Sequence, residues 1–547
     1  MKNLFTTKLA KFALTLSLAS IALVGCKKEE LVTEKPELTQ GSAQEESQRI
    51  AADNRLLAEA LKGGLEKEIG GIDKGIKGET GTLETRILVN GEILGYNIAG
   101  YQQPYVSTAG NFMVHASTLL QRYEYTVSIS GNTLTATRTS VNTFGAQTIT
   151  LNSGSTTVSF RASNGVNTST TFPQAPVITN GVMFAPARVL AILAGAAIAE
   201  WDADTKSLQT HYYEQNDFGI YFYGTQQNTN PIDQVVGNQK YVTGQPNAFF
   251  DPNKPTIIYA HGWQKGGVNA RGREGFLFNM DNEWQNVQNY WRNAGWNIGI
   301  FHWVQTADDD WGLKPVDTER KIYSASSGSI GMRWKKSDGS FATRGNPTLN
   351  VTQLYRQEYQ KITSVLGATR ELRLIGNSLG GNLTMSMLRE VNINGGRLPA
   401  RVTLMDPYWD GNLGPNTGLA LPTGFTNTRA VGANSAQRLN NTGIAIEYFR
   451  TSIAGQQGYN VGVANIAAYV NFVPGYTADP GAKHTQPTKQ YLWNLAFNPP
   501  TVGPSPRSTN TYVRNMMATQ LYWDHTGGTN RANPSFHSYT VKNGKPQ

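Results

Sequence analysis

The stretch Leu374-Ile375-Gly376-Asn377-Ser378-Leu379-Gly380-Gly381 constrains this 547-residue chain more than any other. The short apolar run Glu371–Ile375 leads into it, and Leu383, Met387 and Val391 follow at helical spacing. The pattern predicts strand, sharp turn and helix with Ser378 at the apex, the setting of a nucleophile elbow. The chemistry needs that setting. A hydroxyl becomes a useful nucleophile only when it projects freely toward a base and a substrate. The turn holds serine in a strained backbone conformation, and flanking glycines let strand and helix pass closely. An ordinary glycine loop is the alternative reading; the strand before and the helix pattern after favour the elbow.

From about Asp217 the chain alternates strand patterns with long helical ones, which predicts an α/β domain with a mainly parallel sheet. Strands are expected at Gly219–Tyr223, Thr256–Ala260, Asn297–His302, Glu371–Ile375, Val402–Met405, Gly443–Phe449 and Ile466–Val473. Helices are expected at Val351–Leu366 and at Glu274–Asn293, where Met280, Trp284, Val287 and Trp291 share a face. Two insertions interrupt this domain. Residues 303–349 carry a hairpin pattern, Ile330–Trp334 and Ser340–Arg344 around Asp338-Gly339. Asp410–Asn441 is rich in Gly, Asn, Thr and Pro and reads as a lid over a substrate site.

Three further pieces suit Ser378. Ala260-His261-Gly262-Trp263-Gln264-Lys265-Gly266 directly follows a buried strand. A loop there can offer a backbone N–H to a developing oxyanion, with a second from Leu379, the residue after the serine. Asp406 ends the strand after the elbow, where an acid can orient an imidazole and stabilise its charged form. The base, following Asp406 in the order Ser…Asp…His, is His484, His525 or His537. His484 is preferred because it lies in the loop after the expected last strand, whereas His525 and His537 fall in a polar C-terminal tail. No metal or organic cofactor is called for. The acidic run Asp308–Asp310 invites calcium, but a solvated loop is the simpler reading.

Together, Ile257–Gly266, Gly299–Trp303, Gly376–Gly381, Leu404–Tyr408 and Ala482–Tyr491 resemble the α/β-hydrolase fold, and within it the pancreatic-type lipase family. The resemblance covers about residues 217–500. It implies Ser378 as nucleophile, Asp406 as acid, His484 as base, and Trp263 and Leu379 as oxyanion donors, acting on a lipid or other carboxylic ester. Two departures stand out. Asn377 occupies the position before the serine that is often His in that family, and the cysteines that flank the family's lid and catalytic histidine are absent. The rivals are an amidase, peptidase or thioesterase with the same triad, and a surface adhesin on an inactive scaffold.

Ahead of this domain, residues 1–25 read as an export signal, with lysines followed by the apolar run Phe12–Val24. It ends Leu23-Val24-Gly25-Cys26, which resembles a bacterial lipobox and implies lipidation of Cys26. Cys26 is the only cysteine, so an intramolecular disulfide is impossible. Lys27-Lys28-Glu29-Glu30 looks like the acidic export tags of Bacteroidetes surface lipoproteins, which implies an outer-membrane lipoprotein held by its anchor and open to the cell surface. Residues 26–84 suit a tether with a short stalk helix, since Ile50, Leu57, Leu61 and Leu65 recur at helical spacing. Residues 85–212 alternate Thr, Val, Ile and Tyr between Asn/Gly turns, a β-rich α+β accessory domain before the hydrolase-like domain at 213–547. This region has a weak internal repeat, residues 112–138 against 178–211, and resembles the copper amine oxidase N-terminal domain. The resemblance implies a stalk rather than copper chemistry, because His115 and His211 lack a ligand spacing. The net charge is +9, or +6 without Lys2, Lys8 and Lys11 of the leader. The basic residues are dispersed with no basic-aromatic stripe, so nucleic acid is not an expected partner.

Overall fold

Strands buried on both faces need near-continuous apolar sequence, and the second half of the chain supplies a series of such runs. The computed structural model describes residues 86–545, excluding short internal stretches, the longest of them 95–103 and 227–234. The leader, Cys26 and the expected stalk helix lie outside the described residues.

Ten strands form one mixed sheet: β1 (Gly219–Gln226), β2 (Val235–Lys240), β3 (Thr256–Ala260), β4 (Asn297–His302), β5 (Leu372–Asn377), β6 (Arg401–Met405), β7 (Ala445–Arg450), β8 (Ala468–Asn471), β9 (Leu521–Gly527) and β10 (Ser538–Asn543). Their order is β2-β1-β4-β3-β5-β6-β7-β8-β9-β10. Strands β3 to β9 run parallel. β1 and β2 close one edge antiparallel, and β10 closes the other. Every residue of β3, β4, β5 and β6 is buried, which accounts for runs such as Ile257-Ile258-Tyr259-Ala260. The edge strand β10 is exposed along most of its length, and its sequence is correspondingly polar. The sheet carries α1 (Val287–Asn293), α2 (Val351–Val365), α3 (Leu379–Ile393), α4 (Thr428–Asn440), α5 (Pro480–Asn494) and α6 (Asn510–Met517). α2 begins at a capping box, with Asn350 accepting from the Gln353 N–H and Gln353 reaching back to the Asn350 N–H.

Three expectations are corrected. Residues Glu274–Asn293 are not one helix. Leu277–Met280 and Glu283–Asn286 pair as a hairpin, and helix begins only at Val287. The turn passes through Asp281 at φ 53°, and the Asp281 carboxylate accepts the N–H groups of Ala532 and Asn533 at 2.9 and 2.8 Å. That anchor lies about 250 residues away in sequence, beyond the reach of local periodicity. Second, β8 is not the last strand. The expected polar tail supplies β9, with Trp523 wholly buried, and β10. Third, Asp410–Asn441 is not all loop. Its second half is α4, which buries Val431, Ala436 and Leu439. Where the first insertion was expected to form a hairpin, the described residues hold an antiparallel bridge between Lys335 and Phe341, and Ile330, Asp338 and Arg344 lie outside the described residues.

The β-rich N-terminal region has a core of its own, built around Leu119, Leu120, Leu134, Ile149, Val189 and Leu193 and sharing no residue with the core of the ten-stranded sheet. The internal repeat is visible in it. Phe112–His115, helix Ala116–Arg122, Thr126–Ser130 and Thr133–Thr137 match Val182–Pro186, helix Ala187–Leu193, Ile198–Asp202 and Ser207–His211. The first strands of the two units pair antiparallel, Phe184 opposite His115.

Candidate functional site

A single residue separates β5 from α3. Ser378 takes φ 54° and ψ −126°, a conformation costing an L-residue about 1–3 kcal/mol. Its neighbours hold it there. The Ser378 N–H donates to Met405 O at 3.0 Å, and Ser378 O accepts from the N–H groups of Gly381 and Tyr408 at 3.0 and 3.1 Å. The glycines are sterically required. A Cβ on Gly376 would overlap the Gly380 carbonyl, and one on Gly380 would overlap the Ala260 carbonyl at the end of β3.

Asp406 immediately follows β6, also at positive φ, 44°. Its N–H donates to Phe449 O at 2.8 Å, and its buried carboxylate accepts the Thr451 N–H on Oδ1 at 2.9 Å. The other oxygen, Oδ2, lies 2.6 Å from His484 Nδ1. A neutral ring donating its Nδ1–H to that carboxylate leaves Nε2 as an acceptor. His484 stands in the early part of α5 rather than in a loop. The helix starts at Pro480, capped by Asp479, whose side chain accepts the Ala482 N–H at 2.6 Å. Gly481 and the internal Pro487 argue against helix in the sequence. Tertiary packing overrides them, with Tyr491, Leu492 and Trp493 buried.

The loop after β3 faces the elbow. A Cβ on Gly262 would stand 2.7 Å from Ser378 Cβ and 3.3 Å from its Oγ, so only glycine lets this loop approach the serine so closely. His261 organises the loop. Its Nε2 accepts the Trp303 N–H at 3.2 Å, which places the ring proton on Nδ1, 2.9 Å from Gly262 O. The Trp303 indole donates to His261 O at 3.0 Å and stacks on the imidazole at a centroid distance of 5.6 Å. Trp263 Nε1 donates to Asp309 O at 3.0 Å, and the Gln264 N–H to Ala307 O at 3.2 Å.

The acidic run beneath this loop is neither solvated nor open to calcium where it is described. Asp308 and Asp309 are buried. Asp308 pairs with Lys335 at 2.8 Å, and Asp309 with Lys321 at 2.8 Å and Arg333 at 2.7 Å. Burial pushes the Lys321 ammonium down to about 8 against the opposing pull of Asp309. Burial works upward on Asp309, but Arg333 and Lys321 outweigh it and hold that carboxyl below its usual range. Three cations thus neutralise groups that a metal would need.

The remaining histidines have other surroundings. His525, in β9, is buried between Phe472 and His537, with ring centroids 4.9 and 4.8 Å away. Burial first, then the neighbouring His537, depresses its imidazole to about 4. His537 Nε2–H donates to Arg531 O, 2.8 Å away, and burial lowers its pKa too. His302 meets the Tyr223 hydroxyl at 2.7 Å. His115 caps helix Ala116–Arg122, accepting the Thr118 N–H.

Sequence reasoning missed Glu319, in the helix Val316–Tyr323 of the first insertion. It is wholly buried, and burial pushes its carboxyl up to about 8. Glu319 accepts from Asn382 Nδ2 on α3 at 2.9 Å and from the Asp410 N–H at 3.0 and 3.1 Å. It therefore joins the elbow helix to the root of the second insertion. No local signal marks an acid as buried when its partners come from two other segments.

Residues 89–210 match the family model of the copper amine oxidase N-terminal domain. No curated protein matches the chain. Similar solved structures include an ester hydrolase from the metagenome of Lake Arreo, at 12% identity over 56% of this chain and 84% of that one, with TM-score 0.26. A carboxyl esterase from the mycorrhizal fungus Tuber melanosporum has 15% identity over 50% and 86% of the two chains, with TM-score 0.22. A hormone-sensitive-lipase homologue from a metagenome library has 11% identity over 44% and 70%, with TM-score 0.22.

Proposed function

We propose that this protein is a serine hydrolase of carboxylic esters, lipid esters foremost, on an α/β-hydrolase domain. The observation that carries the reading is the 2.6 Å contact of His484 Nδ1 with Asp406 Oδ2, beside a serine held at φ 54° between strand and helix. Ser378 Oγ attacks the carbonyl carbon while His484 Nε2 takes its proton, and Asp406 stabilises the imidazolium. The oxyanion meets the N–H of Leu379, which opens α3 and has no acceptor within the helix, and that of Trp263. His484 then protonates the departing alcohol. Water, deprotonated by His484, attacks the acyl-enzyme, and the acid leaves as the proton returns to Ser378 Oγ. Turnover of aryl esters of graded acyl length by the purified protein tests this; absence of turnover across the series would overturn it. An amidase or thioesterase would instead favour the corresponding amide or thioester.

The reading extends to the cell. We propose that the chain is an outer-membrane lipoprotein held through Cys26, with the N-terminal region as an accessory stalk. Cys26→Ser then moves it from the membrane fraction to the soluble extract, and unchanged membrane association would contradict the anchor.

A further inference from the structure

Asn377, the last residue of β5, is buried directly before Ser378. Its Nδ2 lies 2.9 Å from Met405 O and 3.1 Å from His484 O. A primary amide nitrogen carries two hydrogens, so each carbonyl receives one. Met405 is the residue before Asp406. One side chain, adjacent to the serine, thus grips the backbone beside the acid and the backbone of the histidine itself.

We infer that Asn377 is a positioning residue that fixes the lateral placement of His484 and Asp406 relative to Ser378, an inference that rests on the hydrolase reading above. The topology explains the need for one. Ser378 and Asp406 sit at the ends of adjacent parallel strands, with five paired residues fixing their register. His484 arrives on α5, which is joined to the sheet through loops and is not part of any strand ladder. Its placement depends on contacts made at the early part of that helix. Two such contacts are that of the Asp406 carboxylate with the imidazole and that of the Asn377 amide with the main chain. The first orients the ring, and the second holds the backbone from which the ring projects. Two constraints at different atoms are what keep a side chain from swinging about either one.

The choice of residue follows from the partners. Both are carbonyl oxygens, which only accept, so the group between them has to supply two donors. A neutral imidazole at this position has one N–H and could serve only one of them. An aspartate has the same shape as asparagine but, when ionised, turns acceptor oxygens toward both carbonyls. Its protonated form regains one donor.

The test uses the full chain and its Asn377→Ala and Asn377→Asp variants. Turnover is measured on a soluble short-chain aryl ester at pH 8 and pH 5.5, together with labelling by a fluorophosphonate probe and thermal melting. The expected result for Asn377→Ala is a folded protein whose kcat falls about 10- to 100-fold with KM within about twofold, since a misplacement near 1 Å suffices for such a loss. Asn377→Asp should fall below Asn377→Ala at pH 8. Its activity relative to wild type should rise on acidification as the carboxyl regains a donor, a recovery Asn377→Ala cannot show. Folded Asn377→Ala with kcat within twofold of wild type would overturn the inference and leave the hydrolase reading standing. So would a folded Asn377→Asp whose ratio to wild type is the same at both pH values. Failure of both variants to fold would also overturn it, because Asn377 would then hold the fold rather than the site. A wild-type protein that neither turns over esters nor labels would remove the hydrolase reading and this inference with it.

Discussion

His484 on α5 is half-buried and His525 in β9 is buried, and their partners set the two imidazoles further apart. His484 meets a carboxylate at Nδ1, whereas His525 stacks among Phe472, His537 and Tyr539 with its charged form disfavoured. His484→Ala should therefore lower kcat on an aryl ester by a factor on the order of 10^3 or more. His525→Ala should leave kcat near wild type while lowering the melting temperature, because it opens a cavity in an aromatic cluster. The reverse pattern would reassign the base. At this scale the sequence marked Ser378 and Asp406 as candidates because each follows a legible strand, whereas chain order left three histidines open and the structure sets His484 against Asp406 from a helix rather than from the expected loop. The sequence marked Asn377 only as a departure from a family pattern. It misread Asp308 and Asp309 as surface acids, because the Lys321, Arg333 and Lys335 that neutralise them come from segments 12 to 27 residues away.

At the scale of elements, strands buried on both faces were the most readable, since their composition follows from position. Glu274–Asn293 was misread because an apolar spacing compatible with a helix also fits a hairpin followed by a short helix, and the Asp281 anchor that decides between them is tertiary. The helix Val316–Tyr323 gives a further prediction. Glu319 ties it to α3 and to Asp410, and its folded pKa is raised from 4.5 to about 8 by burial. Between those values the folded state binds the proton more tightly than the unfolded state. The associated stability is fully present below about pH 4.5 and is lost as pH rises through about 8. Its upper bound is on the order of 5 kcal/mol. Glu319→Gln, which mimics the neutral acid, should flatten this part of the melting temperature profile. An unchanged slope between wild type and variant, measured by calorimetry from pH 5 to pH 9, would contradict the assignment.

At the scale of the whole molecule, the N-terminal region and the ten-stranded sheet bury separate cores, and all the site residues belong to the second. Deleting residues 27–212 should therefore preserve kcat and KM on small soluble esters, while action on insoluble or cell-bound substrates falls. A folded truncation inactive on the small ester would show that the N-terminal region contributes to the site. The proposed role of Ser378 as the nucleophile of an ester hydrolase is read out by fluorophosphonate labelling of the full chain, with the modified residue located by peptide mass spectrometry and the same assay run on Ser378→Ala. A nucleophilic Ser378 gives stoichiometric labelling at that residue in the wild type, and neither labelling nor ester turnover in a variant that melts as a folded protein. Labelling at another residue, or wild-type turnover in Ser378→Ala, would contradict that role.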